Sequence, residues 1–207
     1  CLLPLTGGYH MNLMKAESPG PSVSKLVPKV QSTAKILYTI YIILTIVEII
    51  FLLIGKMPLF DTLCLSFGTA GTGGFGIKND SIASYSTYNQ VVITVFMILF
   101  GINFNAYYLL LTKKVMQAAK NEEVRYYLGI IGLAIVAIAI NTREMFTSFG
   151  RAFQQAAFQV GSIITTTGYA TTDFNVWPVF SKTILVILMF VGACAGSTGG
   201  GIKVSRV

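Results

Sequence analysis

The chain has 207 residues, 54% of them apolar and only 11% charged, with a net charge of +7. Its mean hydropathy is +0.69. Soluble domains carry about 25% charged residues, so the composition excludes an ordinary soluble enzyme, and its apolar content excludes a disordered chain.

In chain order, the first apolar stretch is 36–54, 19 residues with one charge, Glu48. At about 1.5 Å per residue it reaches across a hydrocarbon core of roughly 30 Å. An intramembrane acid is a functional candidate by default. Glu48 lies near the outer end of its stretch, however, and is read as structural, reaching the interface or a buried polar partner. Residues 57–69 are too apolar for a solvated connection and predict a short helix dipping into the membrane, ended by Thr72-Gly73-Gly74-Phe75. Residues 91–111, 21 in number and uncharged, predict a second spanning helix. Asn103 and Asn105 in its middle suit bonds between helices. Residues 126–140 span if the flanks at Val124 and Asn141 are included. Residues 149–164 predict a second dipping helix, ended by Thr166-Thr167-Gly168-Tyr169. Residues 183–195 begin a spanning helix that breaks in a glycine-rich run. The N-terminus shows no signal-peptide pattern.

The regions 1–35, 112–125 and the tail hold ten of the 15 Lys and Arg residues. The positive-inside rule places these regions in the cytoplasm and the segments 55–90 and 141–182 outside. The basic balance is thus a topology marker and implies no nucleic-acid partner; any single lysine reads as a solvated loop residue. Cys1, Cys64 and Cys194 are odd in number and read as packing residues. The single histidine, His10, excludes a multi-histidine metal site.

A shift of 94 residues lays Thr72 on Thr166, Gly74 on Gly168 and Phe75 on Tyr169. The same shift brings 91–111 near 185–205 and the first helix close to 126–140. The unit is helix, re-entrant helix, Thr/Gly loop, helix, present twice, and such repeats build a pathway between them. Non-helical backbone at membrane depth survives only when buried in protein or lining a wet cavity. Glycine lets successive carbonyls point the same way, and such carbonyls replace an ion's hydration shell. Thr72, Gly73, Gly74, Thr166, Thr167 and Gly168 are therefore the candidate filter, with a monovalent cation at Gly74 and Gly168 and the aromatic wedged behind each loop. No covalently bound cofactor is expected.

The run Gly192-Ala193-Cys194-Ala195-Gly196-Ser197-Thr198-Gly199-Gly200-Gly201 holds five glycines and nothing larger than Thr. At about 1 kcal/mol per glycine relative to alanine it is a poor helix. The repeat puts Ala195 opposite Gly101, in mid-helix. The run reads as a flexible gating loop beneath the filter, against the alternative of a kink at a close helix crossing. Lys203 and Arg206 then mark the cytosolic exit.

The stretches Lys15-Ala-Glu-Ser-Pro-Gly-Pro21, Thr72-Gly-Gly-Phe75, Ile164-Thr-Thr-Thr-Gly-Tyr-Ala-Thr-Thr-Asp173 and the run from Gly192 to Lys203 resemble the Trk/Ktr potassium-uptake family, in particular its TrkH-like membrane subunits. The resemblance covers essentially the whole chain. It implies an all-α membrane protein of helix–pore-loop–helix units around a pseudo-fourfold pore. Residues 1–30 would be the end of the first unit and a cytoplasmic linker, 31–120 the second unit, and 121–207 the third, to just past the gating loop. The first filter and the fourth unit would lie outside this sequence. It further implies potassium as the transported ion, a multi-pass subunit of a bacterial cell membrane, a homodimer, and a cytosolic nucleotide-binding regulatory subunit of the TrkA/KtrA type.

Other motifs fail. Gly71-Thr-Gly-Gly-Phe-Gly76 matches a dinucleotide fingerprint but follows no strand, and Ile202 interrupts the Gly-Lys of a P-loop. With one histidine there is no nucleophile–base–acid set, so no enzyme is expected. Asp61, Asp80 and Asp173 flank the outer mouth, either concentrating cations or capping loops. Asn79-Asp-Ser81 is a formal glycosylation sequon, irrelevant in a bacterial chain. The rivals are a sodium-permeable relative and a non-transporting membrane subunit whose glycines only allow tight packing.

Overall fold

The computed structural model describes residues 30–111 and 121–204. Cys1, His10, the motif at 15–21, the lysines of 112–120 and Arg206 lie outside the described residues. Among the described residues the chain is helical and has no strand: α1 (Val30–Ile54), α2 (Leu59–Ala70), α3 (Thr87–Phe100), α4 (Phe104–Leu111), α5 (Glu122–Asn141), α6 (Phe149–Ile164) and α7 (Val179–Phe190), with short 3-10 turns at Arg143–Met145 and Phe174–Val176.

Local chemistry sets most boundaries. α1 runs without a breaker until Gly55, and the chain reverses at Lys56, whose φ is 58°. Pro58, with φ −55°, then opens α2, as its fixed ring geometry favours. Ser86 accepts from the Asn89 N–H at 3.3 Å at the start of α3. Asn121 accepts from the Glu123 N–H at 3.2 Å at the start of α5, and Ser148 from the Arg151 N–H at 3.3 Å at the start of α6. Each cap satisfies one of the orphan amides of a helix start.

The expected two-unit architecture is present, α1–α4 and α5–α7. Lys35–Ile54 and Glu122–Asn141 are long and apolar enough to cross a membrane. α2 and α6 are short helices at the positions where short helices were expected, 57–69 and 149–164. Each unit has its own apolar core, and the cores interlock: Phe158 and Tyr169 pack into the first, Ile98 and Ile102 against the second. α6 lies against α3, α5 and α7. Ile43, Ile46 and Ile50 on α1 and Ile187 and Phe190 on α7 are half or more exposed, an apolar outer face suited to lipid.

Two spans differ from expectation. The uncharged run 91–111 is not one helix: Thr87–Phe100 and Phe104–Leu111 meet at 91°. Three residues cause the break. Gly101 leaves the space into which the Tyr127 phenol inserts. That phenol donates to the Ile98 carbonyl at 3.2 Å, taking an acceptor from the last turn. Asn103 then restarts the chain, its Oδ1 accepting from the Asn105 N–H at 2.9 Å. The second difference is α7, which starts earlier than expected and ends at Phe190. Its 12 residues extend only about 18 Å at 1.5 Å per residue, so the break precedes Gly192 instead of following it.

The buried Gly101–Tyr127 contact makes a prediction. Gly101→Ala introduces a methyl group against the phenol and lowers stability by about 1–3 kcal/mol, the usual cost of overpacking. Adding Tyr127→Phe recovers part of that loss. Thermal unfolding of the purified full-length variants in detergent measures both.

Candidate functional site

The loops after α2 and α6 have the same construction 94 positions apart. Gly71 N–H donates to Phe67 at 2.9 Å and Thr165 N–H to Gly161 at 3.2 Å; Gly73 N–H donates to Gly68 at 2.7 Å and Thr167 N–H to Ser162 at 2.9 Å. Thr72 and Thr166 have φ of 51° and 59°, and Gly74 and Gly168 have φ of 68° and 88°. A left-handed threonine is costly, of order 1–2 kcal/mol, so finding it twice at one register marks a built feature rather than an accident of either loop. The loops lie side by side: a Cβ on Gly74 would strike the Thr167 carbonyl, while the space beside Gly168 is open. The structure thus brings together Thr72, Gly73, Gly74, Thr166, Thr167 and Gly168. Among the described residues, no hydrogen bond is donated to the carbonyl of any of these six.

The loops are braced differently from behind. Tyr169 is 1% exposed and its phenol donates to the Leu65 carbonyl of α2 at 3.2 Å, in the space left by Gly68. Ser162 Oγ donates to the Tyr169 carbonyl at 2.6 Å. Phe75, expected to wedge its own loop in the same way, is 84% exposed, because the wedge reaches the helix of the preceding unit instead of its own. From the outside, Ile82 N–H donates to the Ala170 carbonyl at 3.0 Å and Ala170 N–H to Ser81 Oγ at 3.2 Å.

At the outer segments, two aspartates have local partners. Asp173 Oδ1 accepts from the Asn175 N–H at 2.9 Å, capping the turn. Asp61 Oδ2 accepts from the Tyr85 phenol at 2.8 Å. Burial and then this carboxylate hold the Tyr85 phenol above its ordinary pKa, so it stays protonated. Asp80 lies 3.5 Å from Ser84 Oγ. Glu48 is fully buried, and among the described residues neither of its carboxylate oxygens has a hydrogen-bond partner. Thr142, the C-cap of α5, is also buried, its hydroxyl donating to the Ile138 carbonyl at 2.8 Å. Cys64 and Cys194 are free thiols. Among the described residues, no three His, Cys, Asp or Glu side chains converge as a metal site, so the oxygens available at the loops come from backbone and threonine.

Residues 192–201 form a loop pinched at its base by Gly192 N–H donating to Ile202 at 2.7 Å and Val204 N–H to Ala193 at 3.4 Å. Glycine is needed at 192 because a Cβ there would strike the Gly200 carbonyl. The loop bonds to both Thr/Gly loops. Gly200 N–H donates to Thr166 Oγ1 at 2.7 Å, and Thr72 Oγ1 donates to the Thr198 carbonyl at 3.3 Å. It also bonds to the break between α3 and α4: Cys194 N–H to Gly101 at 3.1 Å, Phe104 N–H to Gly196 at 3.1 Å and Thr198 N–H to Phe100 at 3.4 Å. Lys203 Nζ donates to the Gly199 carbonyl. Glu123 completes the set, accepting from the Ala195 N–H at 2.6 Å and from Asn103 Nδ2 at 3.2 Å. Asn103 therefore bonds between elements, as its type suggested. Glu123 was hidden among the charges of the segment 112–125, and its signal was its place at the start of the helix beside the glycine-rich run.

Fold and site together define a membrane protein of repeated helix–re-entrant helix–loop–helix units. The family model of TrkH, described as a cation transport protein, matches residues 1–133 and 126–207. The chain belongs to the TrkH family. It is 33% identical to the Trk system potassium uptake protein TrkH of Salmonella typhimurium, over 100% of this chain and 44% of that protein. It is 37% identical to the protein of the same name from Vibrio parahaemolyticus, over 100% of this chain and 44% of that one. The crystal structure of the potassium transporter TrkH from Vibrio parahaemolyticus superimposes with a TM-score of 0.83 at 34% identity, covering 94% of this chain and 43% of that chain. The chain spans less than half the length of these relatives.

The two loop glycines differ in what a side chain would meet. Gly74→Ala forces a methyl group onto backbone that cannot step aside, whereas Gly168→Ala meets only the left-handed penalty of about 1–2 kcal/mol. Gly74→Ala is therefore the more destabilising of the two, as ranked by melting temperature of the purified full-length protein.

Proposed function

We propose that this chain carries two pore units of a potassium-uptake protein, with residues 31–120 and 121–207 as the second and third of four. Potassium passes Thr72, Gly73, Gly74, Thr166, Thr167 and Gly168, whose carbonyls replace its water, and then meets the 192–201 loop as a gate. The observation that carries this reading is the pair of loops with matching left-handed dihedrals and six carbonyls that no donor among the described residues uses. At membrane depth such carbonyls need water or a cation. The gate reading is supported by the bonds of the 192–201 loop to Thr72 and Thr166, which put it against the filter.

The relatives are named as parts of a Trk system, and this supports assembly with further components: a second copy of the subunit and a cytosolic nucleotide-binding regulator. A bacterial inner or plasma membrane is the setting proposed, with the basic segments inside.

Potassium and sodium flux into liposomes holding the full-length protein tests the filter. Gly168→Ser lowers the potassium-over-sodium preference by about tenfold, equivalent to about 1.4 kcal/mol, while assembly is retained. Unchanged flux and preference would refute the filter. In the same assay, deletion of residues 196–200 raises basal flux; zero flux with intact assembly counts against the gate.

A further inference from the structure

Glu123 is the second residue of α5, half-buried beneath the glycine-rich loop. Its carboxylate is shared between two breaks in the helical structure. Oε1 accepts from the Ala195 N–H at 2.6 Å; Oε2 accepts from Asn103 Nδ2 at 3.2 Å. Ala195 and Gly101 occupy the same position in the repeat, and Asn103 is where the chain restarts as α4. One side chain thus ties together the unwound parts of both units.

The repeat shows what the carboxylate replaces. Gly101 N–H donates to the Met97 carbonyl at 3.1 Å, inside the last turn of α3. The matching bond in the second unit would run from Ala195 to Val191. It is absent because α7 has already ended at Phe190. Glu123 stands in for the missing helical carbonyl, and as a charged acceptor at short range it makes the stronger kind of hydrogen bond.

We propose that Glu123 is the latch of the 192–201 loop, a positioning residue that holds the loop closed against the filter. The inference rests on the loop being the gate proposed above. Hydrogen bonds to a charged group move an equilibrium by about tenfold or more, enough to set how often the loop opens.

The test is potassium flux per monodisperse protein, with the full-length protein in liposomes and no regulator added. Glu123→Ala raises basal flux about tenfold. Glu123→Gln keeps an acceptor for Ala195 but sets its own amide donor against that of Asn103, and gives a smaller rise. Adding Asn103→Asp to Glu123→Gln restores a donor–acceptor pair of reversed sense and returns flux to the original level. A residue that only stabilised the fold would lower yield and melting temperature without this rise and rescue. If Glu123→Ala fails to fold, Glu123→Gln alone and with Asn103→Asp carry the same comparison. Original flux in the Glu123 variants, while deletion of 196–200 raises it, overturns the latch and leaves the gate standing. No effect of the deletion overturns both.

Discussion

The structure depends on one constraint: a backbone amide or carbonyl at membrane depth must find a partner, since burying one unpaired costs several kcal/mol in hydrocarbon. Helices meet this internally. This chain departs from helix at both Thr/Gly loops, at the bend after α3 and from Val191 onward. The two kinds of group fare differently there. The amides of Thr72, Gly73, Thr166, Thr167 and Gly168 all donate back to the helix before them. In the glycine-rich loop, Cys194 and Thr198 donate to the α3 end, Ala195 to Glu123 and Gly200 to Thr166. Among the described residues, five of the six amides at 72–74 and 166–168 donate to protein, whereas no donor meets the six carbonyls there. A surface that uses up its N–H groups and presents its C=O groups has the polarity a cation requires.

Holding that surface costs strain, and the strain is placed in register. Four residues sit in left-handed conformations at two pairs of matching positions, and two of the four are threonines. Strain of this kind persists where surrounding structure over-determines it. Here the supports are visible: Tyr169 wedged against α2, the hydroxyls of Thr165 and Thr167 paired at 2.8 Å, and the outer strap at Ser81 and Ile82 gripping Ala170. The threonines also bond to the glycine-rich run, Thr72 to Thr198 and Thr166 to Gly200, so the residues that shape the Thr/Gly loops are the ones that meet the 192–201 loop.

Much of this was legible in the sequence because it rests on composition and spacing. The existence of α1 and α5 and the bounds of α6 follow from apolar runs, and the repeat is exposed by Thr-x-Gly-aromatic at a fixed offset. What was not legible arises from contacts across the repeat. Nothing within 91–111 forces a right-angle bend. One glycine and two asparagines in an apolar run usually sit in a helix, and only the phenol of Tyr127, arriving from α5, makes Gly101 the end of one. The early end of α7 is of the same kind, because the pinch between Gly192 and Ile202 competes with the next helical turn. Glu123 belongs here too, since a glutamate in a charged helix start is ordinarily a solvated complement to the helix dipole.

The contrast between Phe75 and Tyr169 carries the last step. The two are equivalent in the repeat, yet one is almost wholly exposed and the other almost wholly buried. The difference is direction. Tyr169 reaches from its own unit to the re-entrant helix of the unit before it, which makes the junction head-to-tail rather than self-complementary. Contacts of that type leave a donor face at one end and an acceptor face at the other, and they are completed only when the units close into a ring. Phe75, at the matching position, makes no such reach and stays exposed. The described residues contain one such junction, where the Tyr169 phenol meets the Leu65 carbonyl of α2.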